Sequence, residues 1–237
     1  MPLSVETCLT PELSFQHDFT DKTAVIIDIF RATSCITTGL NHGVVSIKAV
    51  SQVEECFPYR QRGYLAAGER DGRKIEGFDL GNSPFEFMSQ KGKKIVMTTT
   101  NGTQAILKAK GASHVVLGAF LNFDAVAEYI VQKNKNVVLV CAGWKGKYSL
   151  EDSLFAGALA KKLFEFHFQA NNDDATTSCL LMYERVASNL KEFVALSSHY
   201  QRLRHLNVKE DLDYCITFNL MQGVAELQES GEISLFR

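Results

Sequence analysis

No stretch of the chain approaches the roughly 20 consecutive apolar residues of a membrane-spanning helix. Positive charge is not concentrated anywhere: the formal net charge is −2 and there is no basic block, which argues against a nucleic-acid partner. The first 20 residues carry Glu6, Glu12 and Asp18 and no apolar signal core, so a cytoplasmic protein is expected. No two cysteines form a Cys-x-x-Cys pair. The six, Cys8, Cys35, Cys56, Cys141, Cys179 and Cys215, are spread out, mostly in or beside apolar segments, as buried reduced thiols are. Cys141, which ends an apolar run, is the one that best fits a nucleophile. The six histidines are scattered, which disfavours a zinc cage. His199, in Ser197-Ser198-His199, is expected at the surface. The G-x-x-x-x-G-K-[ST] phosphate loop, G-x-G-x-x-G, H-E-x-x-H and the G-x-S-x-G nucleophile elbow are all missing. Linkers, internal repeats and low-complexity segments are missing too.

The 237 residues do contain enough apolar material, 46% against 22% charged, for one large α/β core. A single domain over 1–237 is expected, with two subdomains dividing near residue 170 as the alternative. Strands are predicted at residues 5–9, 23–30, 44–50, 64–68, 94–98, 113–117 and 136–142. Helices are predicted at 32–40, 51–62, 85–90, 103–110, 122–133 and 150–166, with more helix at 174–188, 190–197 and 198–206. Residues 71–84 read as loop, and 212–227 fit strand or helix. The alternation gives a three-layer α/β/α fold on a largely parallel or mixed sheet. The helical C-terminal third suits a lid, a cap or the surface of a homodimer.

Open α/β sheets put their ligand chemistry at strand tips, and several tips here are polar. The apolar run Val25-Ile26-Ile27 delivers Asp28, then Arg31, Thr33 and Ser34. A carboxylate there is costly to bury unless it is paired or binds a metal. Asp28 therefore reads as a Mg²⁺ ligand or a catalytic carboxylate, or as the ion-pair partner of Arg31. Arg31 suits bidentate recognition of phosphate or sulfonate. Thr33 and Ser34 can cap the next helix or donate to an anion. Glu69-Arg70 repeats the acid–base pairing, or is a surface ion pair contributing at most about 1 kcal/mol. Asn82 and Ser83 sit in a turn and could face the cleft. Thr99, Thr100, Asn101 and Gly102 form a small hydroxyl- and glycine-rich turn that either cradles an anion or caps a helix. Ser149 and Asp152 fit a helix cap, while Glu151 or Asp152 could act as general base or reach a metal. Lys145 and Lys147 could steer an anion inward.

Taken together, Ile27–Ser34, Gly68-Glu69-Arg70, the run from Gly77 to Pro84, Thr98-Thr99-Thr100-Asn101-Gly102-Thr103, Cys141-Ala142-Gly143 and Leu150-Glu151-Asp152 resemble the 2-phosphosulfolactate phosphatase family. Ser198-His199 and Asp211-Leu212-Asp213-Tyr214-Cys215 extend the resemblance into the tail. It implies a Mg²⁺-dependent phosphatase that takes 2-phospho-3-sulfolactate to 3-sulfolactate and phosphate, a step toward coenzyme M. On that reading Asp28, Glu69 and Asp152 hold the metal, and Asp28, Glu151 and Asp152 do the catalysis. Arg31, Thr33, Ser34, Arg70, Asn82, Ser83, Thr99, Thr100, Asn101 and Gly102 bind the small phosphorylated substrate. A phospho-aspartyl phosphatase acting on another metabolite and a non-catalytic anion-binding module are the alternatives.

Overall fold

Apolar runs without alternation must be covered on both sides. In the computed structural model, which describes residues 2–206 and 208–236, they are. The strands are β1 (Leu3–Cys8), β2 (Thr23–Ile27), β3 (Ser46–Ala49), β4 (Leu65–Arg70), β5 (Arg73–Lys74), β6 (Lys94–Thr98), β7 (His114–Gly118), β8 (Val137–Cys141), β9 (Phe168–Gln169), β10 (Ala225–Leu227) and β11 (Ile233–Leu235). The helices are α1 (Ala32–Asn41), α2 (Phe57–Arg60), α3 (Pro84–Met88), α4 (Gly102–Lys108), α5 (Phe123–Lys133), α6 (Leu150–Phe164), α7 (Asp174–Val186), α8 (Leu190–Val194), α9 (Ser198–Leu203) and α10 (Lys209–Cys215). Every residue of β2 and β8 is buried. On β2, Val25 and Ile27 enter a core with α5 and α6, while Ala24 and Ile26 enter another with α1, α3 and α4. The fold is thus three-layer α/β/α, as expected.

The sheet order is β5-β4-β6-β3-β11-β10-β7-β2-β8-β1-β9. It contains two parallel sets, β7-β2-β8-β1-β9 and β3-β6-β4. The hairpin β10–β11 lies between them, antiparallel to β7 on one side and to β3 on the other. The two sets therefore run in opposite directions along the sheet. Twist of about −20 to −25° per strand accumulates to roughly 100–125° over the five steps from β2 to β6. The α1 residues from Ala32 to Leu40 are all buried, and tips of both sets line one cleft.

Several expected elements change. Residues 51–62 are not one helix but a 3-10 turn, Glu54–Cys56, followed by the single turn α2. Pro58 lacks the N–H that a continuous ladder needs and is tolerated only in a first turn. The expected loop 71–84 folds back as β5 on β4. Residues 212–227 are part helix and part strand, ending α10 and forming β10. Two short strands, β9 and β11, carry no signal long enough to read. Among the described residues, no helix is long and apolar enough to cross a membrane.

Candidate active site

Asp28 stands one residue past β2, 7% exposed. Its backbone shapes the turn: Thr33 N–H and Oγ1 both donate to the Asp28 carbonyl, at 3.1 and 2.9 Å. Ser34 Oγ donates to the Ile29 carbonyl at 3.0 Å. Those hydroxyls fix the strand-to-helix turn and are taken. Among the described residues, the Asp28 carboxylate itself receives only a long bond, from Ala32 N–H at 3.4 Å. Burial pushes its carboxyl up to about 6; the His199 charge opposes this, while Glu69 and Glu151 add to it. Gly102 makes room for it, because a Cβ there would stand 2.5 Å from Asp28 Oδ2.

Arg31 does not pair with Asp28. Its Nη1 binds Asp211 Oδ2, with side chains 4% and 9% exposed, and its Nη2 donates to the Gly72 carbonyl at 3.4 Å. Ser83 Oγ donates to the other Asp211 oxygen at 2.9 Å. The acid from α10 thus holds the arginine at the cleft. Glu69, from the tip of β4, accepts from Gly72 N–H at 2.7 Å and Thr100 N–H at 2.8 Å. It ties two cleft-lining turns together. Arg70 faces the other side of the strand, as the two-residue period of a strand requires. Its Nη2 donates to Thr98 Oγ1 at 3.2 Å, and it does not line the cleft. Thr99 Oγ1 accepts from Thr103 N–H at 3.2 Å, so it serves α4. Asn101 does not cap that helix; its Oδ1 accepts from Lys145 N–H at 2.9 Å. Lys145 Nζ meets Asp71 at 2.6 Å, and Lys147 is exposed.

Ser149 caps α6, accepting from Asp152 N–H at 3.4 Å. The two acids that follow are buried, with different partners. Asp152 accepts from Ile29 N–H at 3.0 Å and from Gly143 N–H at 3.1 Å, locking the β2 tip to the β8 tip. Burial, with the charges of Glu151 and Asp28 added, pushes its carboxyl well above the usual range. Glu151 Oε1 lies 2.7 Å from Nδ1 of His199. Burial alone would raise Glu151, but the hydrogen bond and charge of His199 outweigh it and hold the carboxyl below its ordinary value.

One cleft is therefore lined by Asp28, Arg31, Glu69, Asn82, Thr100, Asn101 and His199, with Phe30, Trp144 and Leu203. Two oxygens beside it, Asn82 Oδ1 and Thr100 Oγ1, are buried without a partner among the described residues, as is Glu151 Oε2. Of the expected residues, Thr33, Ser34, Arg70, Ser83, Thr99, Gly102, Glu151 and Asp152 do not line it. His199, expected at the surface, has a side chain only 14% exposed because α9 turns it onto Glu151. His199 and Asp211 lie in the tail stretches noted for their resemblance, which was the available signal for both. Cys141 is fully buried, and burial first, then neighbouring charges, raises its thiol well above the usual range, which is no setting for a nucleophile. All six cysteines are free and buried.

The family model described as 2-phosphosulpholactate phosphatase matches residues 8–230. Three curated relatives are each named probable 2-phosphosulfolactate phosphatase. That of Caldanaerobacter subterraneus subsp. tengcongensis is 42% identical over 218 residues, covering 90% of this chain and 90% of its own. That of Thermotoga maritima is 41% identical over 210 residues, covering 87% and 89%. That of Clostridium acetobutylicum is 39% identical over 218 residues, covering 90% and 92%. Matched over nearly its whole length and over nearly the whole of these relatives, the chain belongs to the 2-phosphosulfolactate phosphatase family of enzymes.

Proposed function

We propose that the chain hydrolyses 2-phospho-3-sulfolactate to 3-sulfolactate and phosphate with Mg²⁺ bound in the cleft. The observation that carries this reading is Asp28. It is a buried carboxylate at a strand tip whose one hydrogen bond is long, beside a second acid, Glu69, and a buried amide oxygen on Asn82 with no partner. Structural carboxylates are normally satisfied, and Glu69 and Asp152 are; Asp28 is left for a ligand. The names of the relatives support the substrate.

The donor set fits Mg²⁺ in one manner only. Among the described residues, no group of three or more His, Cys, Asp or Glu side chains is placed to hold one metal ion. Two carboxylates and a neutral oxygen suit an ion that keeps several waters and shares substrate phosphate, as Mg²⁺ commonly does. Asp28, Glu69 and Asn82 would hold it. Bound there, Mg²⁺ would offset the negative charge of the acids and of the phosphoryl oxygens. The chain's own part is positioning and charge. Arg31 has five N–H donors, two of them engaged, and is anchored by Asp211 so that the rest can grip an anionic end. Thr100 Oγ1 has a hydroxyl to offer beside it. Asp152 acts on the site indirectly, by joining its turns, whereas Glu69 joins two turns with one N–H on each oxygen and keeps acceptor capacity toward the cleft.

The test is phosphate release from small phosphorylated acids, 2-phospho-3-sulfolactate included, with Mg²⁺ and with chelator. Release from this ester that chelator abolishes, and that falls by about 10²-fold or more in Asp28→Asn, is expected. Tight binding without release would make the protein a binding module. Full activity in chelator would remove the metal from the proposal, and full activity in Asp28→Asn would remove Asp28.

A further inference from the structure

We propose that His199 is the proton donor of this reaction, delivering the proton on Nε2 to the oxygen that leaves phosphorus, and that Glu151 is the residue that positions it. The inference rests on the phosphatase reading of the cleft. The ring lines the same cleft as Asp28 and Arg31. Its Nδ1 faces Glu151 Oε1 at 2.7 Å, which makes Nδ1 the donor to that carboxylate and leaves Nε2 free to exchange a proton. Among the described residues, Nε2 has no hydrogen-bond partner. The ring stands edge-on to Phe30, centroids 6.0 Å apart and planes at 75°, and Phe30 belongs to the same tip as Asp28. Glu151 is 1% exposed and its other oxygen has no partner. A buried acid at the start of a helix, turned toward a histidine from a different helix, is costly as mere packing. It is the usual arrangement for holding an imidazole in one tautomer at one angle.

The chemistry calls for such a group. Cleaving an alkyl phosphate forms a bond from water oxygen to phosphorus and breaks the bond from phosphorus to the C2 oxygen. That oxygen departs as a strongly basic alkoxide unless a proton arrives with bond breaking. His199 gives it the Nε2 proton and becomes a neutral imidazole with Nδ1–H still on Glu151. The attacking water's proton passes to phosphate and solvent, and solvent reprotonates Nε2. No electrons are transferred and no further reactant is needed.

The experiment compares the parent enzyme with His199→Gln on two esters, 2-phospho-3-sulfolactate and 4-nitrophenyl phosphate. The aryl oxygen of the second leaves without help. On the alkyl ester kcat should fall by about 10² to 10⁴-fold with KM nearly unchanged. On the aryl ester the loss should be under about tenfold, since positioning and charge still operate there. In His199→Gly, added imidazole should restore turnover of the alkyl ester. Equal losses on the two esters, or a loss confined to KM, would overturn the proposal. If the parent does not cleave the aryl ester, a His199→Gly defect that imidazole leaves untouched overturns it. A parent enzyme that releases phosphate from neither ester removes the phosphatase reading as well, which separates the two failures.

Discussion

A carboxylate buried with little to hold it costs stability, and that cost depends on pH. The carboxyl of Asp28 stands at about 6, raised chiefly by burial, whereas in the unfolded chain it lies near its ordinary value of about 3.9. Between those values the folded state binds the proton and the unfolded state does not, so stability falls as pH rises through this window. The loss above pH 6 is on the order of 3 kcal/mol for a shift of this size. In chelator-containing buffer, Asp28→Asn should make the slope between pH 4 and 6.5 shallower, with Asp152 keeping its own share, and melt above the parent at neutral pH. Parallel parent and variant curves would mean that Asp28 is better solvated than its position implies. The Arg31–Asp211 pair behaves differently, because each charge compensates the other. Asp211→Ala leaves Arg31 buried and unpaired, and should cost about 3 to 5 kcal/mol by chemical denaturation. A cost under about 1 kcal/mol would place the pair in water.

At the scale of the elements, the turns matter more than the strands. The tip of β2 was legible because an apolar run ended in an acid and a base, and both line the cleft. The assignment of Glu69 and Arg70 to one site was open to correction from the sequence itself, since neighbours on a strand face opposite ways. The uses of Thr33, Ser34, Thr99 and Asp152 were not readable. Whether a hydroxyl or carboxylate satisfies its own turn or a ligand depends on which N–H groups tertiary packing brings up. Asp152, for example, joins Ile29 to Gly143 across 123 and nine residues of sequence. Gly102 tests how tightly the β2 and β6 tips are fitted. The Cβ of Gly102→Ala would stand 2.5 Å from Asp28 Oδ2 and 2.7 Å from Ala32 Cβ, both held by buried backbone. We expect about 1 to 3 kcal/mol of destabilisation and loss of turnover as Asp28 is displaced. Gly111→Ala, whose Cβ would meet nothing nearer than Phe19 Cβ at 3.8 Å, is the control. It should stay within about 0.5 kcal/mol of the parent. Similar stability and turnover for the two variants would show that the tips are loosely fitted.

At the scale of the whole molecule, the cleft exists only because two sheet halves are held together. Asp28, Glu151 and Asp152 follow strands of one parallel set, while in the other Glu69 lies at the end of β4 and Thr100 follows β6. Among the described residues, the strands between the sets are β10 and β11. The layers and the largely parallel character of the sheet were legible, because buried strands are uninterrupted apolar runs and the helices between them have a clear period. The hairpin was not, because strands of three residues carry almost no periodicity and their identity comes from the open edges they fill. Those edges are β7 and β3, and without the hairpin each would present a row of unpaired backbone groups beside a stripped core. Ile233, fully buried and in register with Ile47, sits at the junction. Ile233→Ala should lose about 2 to 5 kcal/mol while kcat/KM at temperatures well below the transition stays at the parent value, since the residue does not line the cleft. Removing residues 224–237 should do something different in kind. The β7 and β3 edges lose their partners together, and the two halves of the cleft lose their fixed relation. The truncated chain should show no cooperative melt and no phosphate release, and amide exchange protection in β3, β4 and β6 should collapse. A truncated chain that melts cooperatively near the parent midpoint would show that the buried helices, α1 above all, suffice to hold the halves in place.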